Sequence, residues 1–219
     1  MSDQIRIIIA DDHDILREGL RGILQKQPDI EIVGEADNGR NAVELAKELS
    51  PDIVIMDITM PDLNGIEATR RILKEIPGIQ IIALSMHNDR QFVRRMLDVG
   101  ASGYLLKQSA SRELVTAIRA VRAGNFYLSK LITDISIEEL FSEDGTYSRA
   151  LLNVLTAKER EVLQLVAEGY STKQIAEKLY LSENTVEKHR QHIMDKLNKH
   201  SVAELTKYAI REGITSLNK

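Results

Sequence analysis

IRIIIADD at residues 5–12 and DIVIMDITMPD at residues 52–62 decide the fold between them. Each is a near-continuous apolar run that ends abruptly in aspartate. Such runs are the pattern of strands covered on both faces, as in a parallel sheet. EIVGEA (31–36), IQIIALS (79–85) and SGYLLK (102–107) complete a set of five. Amphipathic stretches at roughly 13–26, 39–49, 64–75, 89–99 and 109–123 lie between and after them with helical spacing. Strand then helix, five times over, predicts an α/β doubly wound, five-stranded parallel sheet with helices on both faces.

In such a sheet the C-terminal strand ends share one edge, where ligands bind. Asp11 and Asp12 follow the first strand, Asp57 ends the third, Ser85 the fourth and Lys107 the fifth. Three carboxylates that converge repel one another, so either a proton is retained or a cation enters. An all-oxygen set with open positions suits Mg²⁺. With two carboxylates neutralised, the third is free to attack phosphorus, a known role of aspartate. Lys107 then supplies a point charge to an incoming phosphoryl group and Ser85 a hydrogen bond. A lone acid at a strand end is ordinarily a solvated loop residue or helix cap, and Asp14, Asp62 and Asp89 are read that way. His13 and His87 have no clustered partners in the sequence and are read as surface or turn histidines.

Past residue 124 the texture changes. Residues 127–150 show polar clusters and no single period, and are read as a linker with a short helix near 136–141. From 155 onward the pattern is all helix. Thr156-x-x-Glu159, Ser171-x-x-Gln174 and Ser201-x-x-Glu204 match the capping box, Ser182 is a further N-cap, and Gly169 sits where a helix end needs a left-handed residue. Helices follow near 157–168, 172–179, 183–197 and 202–212, and the second and third, joined by a tight YLS turn, form a helix-turn-helix pattern. The expected organisation is one domain over 1–126, the linker over 127–150, and a small all-α four-helix domain over 151–219.

The 219 residues contain no cysteine, which excludes disulfides, thiolate metal sites and cysteine nucleophiles. No apolar run reaches the ~18 residues of a membrane span, and acid follows the first strand at once, unlike a secretory signal. The expected location is the cytoplasm, with no membrane partner. The net charge of -4 argues at first against a nucleic-acid partner. That total hides a division. Residues 1–149 hold 18 Lys+Arg against 24 Asp+Glu, a balance of -6, and residues 150–219 hold 11 against 9, a balance of +2.

IIIADDH, DIVIMDITMPDLNGIE, ALSMH and GASGYLLK resemble the receiver domain of two-component response regulators, a flavodoxin-like fold. LTAKEREVLQLVAEGYSTKQIAEKLYLSENTVEKHRQHIMDKL is similar to the LuxR-type helix-turn-helix that one subfamily, the NarL/FixJ type, carries. The resemblance implies a transcription regulator that is not an enzyme, with a sensor histidine kinase as phosphoryl source, slow self-dephosphorylation and a homodimer after phosphorylation. It implies Asp57 as phosphoacceptor, and Asp11, Asp12, Asp57 and the backbone carbonyl of Thr59 as Mg²⁺ ligands. Ser85 and Tyr104 would be the switch pair, with Tyr104 moving inward after Ser85, and Lys107 the phosphoryl-contacting lysine. Two departures stand out: Gln108 where many receivers have proline, and Ser85 in place of the commoner threonine.

On helix 183–197, Val186, Ile193 and Leu197 form one apolar stripe. Lys188 and Gln191 then face a groove as base readers, lysine suiting guanine and glutamine adenine. Lys173, Thr185, Arg190, Lys196 and Lys199 are candidate phosphate contacts in double-stranded DNA. Glu187 stands where relatives commonly have lysine. It would repel phosphate or accept from cytosine. Two rival readings share parts of this pattern. A metal-dependent phosphatase would use Asp57 as nucleophile but needs a second acid two residues on, where Thr59 stands. A phosphorylation-dependent adaptor would use the helical domain to bind protein.

Overall fold

The computed structural model describes residues 4–88, 90–132 and 154–215. The chain divides into two units, Met1–Ser142 and Glu143–Lys219. The helix expected near 136–141 and most of the expected linker lie outside the described residues. Among those residues no helix is long and apolar enough to cross a membrane.

In the first unit the five expected strands form: β1 (Ile5–Ala10), β2 (Ile30–Ala36), β3 (Ile53–Asp57), β4 (Gln80–Ser85) and β5 (Gly103–Leu106). The helices are α1 (Asp14–Leu24), α2 (Gly39–Leu49), α3 (Gly65–Glu75), α4 (Arg90–Asp98) and α5 (Ala110–Arg122). The expectation of five strands is corrected by one. A two-residue strand, β6 (Tyr127–Leu128), adds parallel to β5, giving the order β2-β1-β3-β4-β5-β6. Two residues carry no detectable period, so sequence patterning could not separate β6 from the stretch read as linker. Ile132 beyond it is also buried in the first unit's core.

Alternation along each strand splits the core into two layers. Ile8, Ala10, Val54, Met56, Ile81 and Ala83 face one side with α2, α3 and α4, while Ile7, Ile9, Ile53, Ile55, Ile82 and Leu84 face α1 and α5. Both faces of the central strands are therefore dry, which is why their sequences are continuous apolar runs. Asp11, which follows β1, and Asp57, which ends β3, are themselves buried at this edge.

In the second unit the four expected helices form: α6 (Ala157–Ala167), α7 (Thr172–Leu179), α8 (Glu183–Leu197) and α9 (Val202–Arg211). The boxes at Thr156 and Ser171 are complete, Ser182 caps α8 through the Thr185 N–H, and Gly169 is left-handed at φ 87°. The third box forms only in part. Ser201 Oγ accepts from the Glu204 N–H, but the Glu204 carboxylate accepts from the His200 N–H instead of the Ser201 N–H. Tyr180 closes α7 in the left-handed region at φ 54°, so the three-residue turn into α8 needs no glycine. Val162, Leu165, Ile175, Leu179, Val186 and Ile193 form the centre of a small core.

Candidate functional site

The loop after β3 is folded tightly against the strand that precedes it. The Gly65 N–H donates to the Ile58 carbonyl at 2.8 Å, and a Cβ on Gly65 would lie 1.9 Å from the Asp57 carbonyl oxygen. Only glycine permits that approach, which returns α3 to the sheet and leaves the Asp57 side chain at the edge. Asn64 caps α3 through the Glu67 N–H.

At this edge Asp11, Asp12 and Asp57 converge with Lys107, as their strand-end positions predict. Lys107 Nζ is 2.7 Å from Asp57 Oδ2 and 2.8 Å from Asp11 Oδ2. Asp11, Asp57 and Lys107 are all buried or nearly so, and Asp12 is half-buried. Burial pushes the Asp57 carboxyl up, Asp11 adds to the effect, and Lys107 with the Thr59 N–H offset it only in part, leaving it at about 7. For Lys107 burial acts downward, but the two carboxylates outweigh it and hold the ammonium above the ordinary lysine range.

The donor set fits a divalent cation. One oxygen from each of Asp11, Asp12 and Asp57 lies within 4.8 Å of the others. Fully ionised, three carboxylates against one ammonium leave a formal charge of -2. Buried Asp11 Oδ2 and Asp12 Oδ1 accept no well-aligned hydrogen bond, although Lys107 Nζ stands close to the first and His13 Nδ1 is 3.0 Å from the second. Buried carboxylate oxygens left so are costly unless a cation completes them.

His13 is exposed, as expected of a surface histidine, but it also stands in this group, so the expectation that it has no clustered partners is corrected. Its ring Nδ1 stands 3.1 Å from Asp11 Oδ1, and its N–H donates to the same oxygen. Its only sequence signal was adjacency to two aspartates. His87, half-buried in the loop after β4 as a turn histidine would be, likewise has partners. Ser85 Oγ accepts from the His87 N–H at 3.0 Å, the Tyr104 hydroxyl donates to the His87 carbonyl at 2.8 Å, and the His87 ring stacks on Phe92 of α4. The two expected switch residues therefore meet through one loop residue between them in space. Tyr104 is fully buried in this arrangement.

On α8, Val186 and Ile193 are buried and Leu197 half-buried, the stripe expected. Lys188 is exposed and makes no ion pair among the described residues; Lys173 is exposed and Lys199 half-exposed. The other candidates have protein partners. Arg190 donates to Thr172 Oγ1 at 2.9 Å and to Glu187 Oε1 at 3.1 Å, and Glu187 also accepts from Thr172. Glu187 is thus held to α7 by its neighbours. Gln191 Nε2 donates to Asp195 at 2.9 Å, and Thr185 Oγ1 lies 2.8 Å from Ser182 Oγ. Lys196 is bound to both oxygens of the buried Glu159 on α6, at 2.7 and 2.8 Å. The expectation that Lys196 stands free for phosphate overlooked this partner, 37 residues away in sequence.

Residues 7–119 match the model of the response regulator receiver domain, and residues 153–209 match that of the LuxR family of bacterial regulatory proteins. Transcriptional regulatory protein DegU of Brevibacillus brevis is 39% identical, covering 96% of this chain and 95% of its own length. A structure of the response regulator RcsB of Salmonella typhimurium is 29% identical with a TM-score of 0.62, covering 96% of this chain and 98% of that one. A further RcsB structure, two dimers bound to two parallel DNAs, is also 29% identical, with a TM-score of 0.57 over 96% of this chain and 99% of that one.

Proposed function

Given that the chain belongs to the response regulators of two-component systems that join a receiver to a LuxR-type helix-turn-helix, we propose that a phosphoryl group on Asp57 is its switch. The chain is a DNA-binding transcription regulator of that family. The convergence of Asp11, Asp12, Asp57 and Lys107 from separate strand ends carries the proposal.

Asp11, Asp12, Asp57 and the Thr59 carbonyl would hold Mg²⁺, whose charge would neutralise the carboxylates and the phosphoryl oxygens as they approach. One Asp57 oxygen attacks phosphorus. The bond from phosphorus to the donor, a histidine kinase or a small acyl phosphate, breaks and its electron pair leaves with the donor. The Lys107 ammonium leaves the carboxylates to pair with phosphoryl oxygen. The Ser85 hydroxyl turns from the His87 N–H to the phosphoryl group. Because His87 is also held by Tyr104 and stacked on Phe92, freeing its N–H changes the position of the 86–88 loop and the first turn of α4.

The output is duplex binding by paired copies. Support comes from the exposed Lys188 and from the DNA-bound dimers of the related RcsB. A balance of only +2 in residues 150–219 makes one copy a weak binder, so pairing is the point of control. Thr59 in place of a second acid argues against a phosphatase, and the LuxR-type unit argues against an adaptor. In the test, protein with acetyl phosphate and Mg²⁺ should gain one phosphoryl mass, and Asp57→Asn should gain none. Labelling that persists in the variant sinks the assignment.

A further inference from the structure

Beyond the switch pair, a second set of hydrogen bonds ties the phosphoryl site to the residues that leave the first unit. Lys107, whose ammonium bridges Asp57 and Asp11, begins a single 3-10 turn, Lys107–Ser109, that runs directly into α5. The end of that turn is buried Ser109. Its hydroxyl lies 3.1 Å from the Leu106 carbonyl and 2.8 Å from Ser129 Oγ, and Ser129 is buried as well.

Ser129 stands just beyond β6, on the chain that leads toward the helical unit. Its Oγ donates to Glu113 Oε2 at 3.0 Å, and the same oxygen accepts from the Tyr127 hydroxyl at 3.1 Å and the Lys130 N–H at 3.2 Å. One carboxylate oxygen on α5 thus gathers three donors from four consecutive residues. The Ser129 N–H donates to the carbonyl of Tyr104, the switch tyrosine, at 2.9 Å. Leu128 and Ile132 pack into the core layer that holds Tyr104 and Phe92.

The arrangement holds two alternatives close together. Ser109 and Ser129 own two hydroxyl protons, while three contacts call for one: Ser109 to Leu106, Ser109 with Ser129, and Ser129 to Glu113. A charge-assisted bond is about twice as strong as a neutral one, so the Ser129 proton stays with Glu113. The Ser109 proton then serves either the Leu106 carbonyl or Ser129, but not both. A small movement of the 107–109 turn decides which. β6 is also weakly held for a strand, since two residues give few ladder bonds and the Tyr127 N–H bond to Ser102 is long at 3.3 Å.

We propose that Glu113, Ser109 and Ser129 form a latch that docks residues 127–132 on the sheet edge while Lys107 stays with Asp57 and Asp11, and loosens it when Lys107 turns to a phosphoryl group. This rests on Asp57 as phosphoacceptor. Glu113 acts as a positioning residue. It touches no reacting atom, and its effect is on the chain leaving the sheet.

The test is amide hydrogen exchange, read by mass spectrometry on the full chain over residues 127–132, with and without acetyl phosphate and Mg²⁺. In the wild type, phosphorylation should speed exchange there by about fivefold, the worth of the one neutral bond that Ser109 withdraws from Ser129. Glu113→Ala, which removes the acceptor of three donors at once, should exchange at least that fast without phosphodonor, should respond little further, and should still gain the phosphoryl mass. Glu113→Gln, which keeps an acceptor oxygen, should lie between. Wild-type exchange that does not change in protein whose mass proves it phosphorylated overturns the latch alone. Absence of any mass gain overturns the Asp57 reading and the latch with it. If the Ala variant does not fold, the wild-type and Gln measurements still decide.

Discussion

Asp57→Asn should stabilise the metal-free protein in alkaline solution, and the gain should vanish in acid. In the unfolded chain an aspartate titrates near 3.9, roughly; in the folded protein Asp57 is raised to about 7 by burial and by Asp11. For an acid whose folded value is raised, the native state prefers the protonated form. Below about pH 4 both states are protonated and there is no penalty. Between about 4 and 7 the penalty grows, and above 7 it is constant. A difference of about three units at ~1.36 kcal/mol each sets a ceiling near ~4 kcal/mol. Asparagine also removes one partner of Lys107, which keeps Asp11, so the expected gain at pH 8 is about 1–3 kcal/mol. The chain has no tryptophan, so urea unfolding is best followed by far-UV circular dichroism with chelator present, at pH 5 to 8. Titrating groups distant from Asp57 are common to both proteins and cancel in the difference, so the remaining pH dependence belongs to Asp57 with its contacts Asp11 and Lys107. Millimolar Mg²⁺ should reverse the sign, since the wild type gains more from a bound cation than the variant. A variant no more stable at pH 8 than at pH 5, relative to wild type, would refute the account of the crowded carboxylates.

Lys188→Ala should relax sequence preference in DNA-shift assays, with little effect on stability. Lys196→Ala should instead destabilise the helical unit by about 1–3 kcal/mol, because buried Glu159 loses its ammonium. Burial alone would raise Glu159, but Lys196 and Thr156 hold it below the ordinary glutamate range. That contribution is present above the unfolded value and lost as pH falls through the lower folded one, so the Lys196→Ala deficit should shrink in acid denaturation curves. Gly65→Ala should destabilise the receiver by about 1–3 kcal/mol and slow acetyl-phosphate labelling, because the new methyl cannot share space with the Asp57 carbonyl. Normal stability and labelling in that variant would remove the role given to the close approach. Tyr180→Gly should raise helical-unit stability by up to about 1 kcal/mol, measured by thermal unfolding, since the side chain is 96% exposed and its backbone left-handed. A loss of stability there would show that the ring holds the turn.

Most of the architecture was legible because its signals are local. Strands dry on both faces must be apolar throughout, and helix ends must cap their own orphan donors, so IVIMD or Ser171-x-x-Gln174 can be read without a partner in view. β6 escaped because two residues have no period. The part-formed box at Ser201 failed because Glu204 reaches past Ser201 to the His200 N–H, a choice between two near-equal donors that spacing does not settle. His13 and His87 were passed over because a single histidine has no spacing to read, and its meaning comes from what the fold sets beside it.

By itself the sequence determined the alternation of strands and helices, the edge to which the aspartates and Lys107 belong, and the helix-turn-helix. Each of those follows from a periodicity or from parallel topology, which sends every strand end to one side. Only the tertiary structure decided how charges pair. It bound Lys196 to Glu159 and Arg190 to Glu187 and Thr172, leaving Lys188 exposed, and it set His87 between Ser85 and Tyr104. Ion pairs and side-chain hydrogen bonds need atoms within about 3 Å, a distance that long-range packing sets and no one-dimensional pattern encodes.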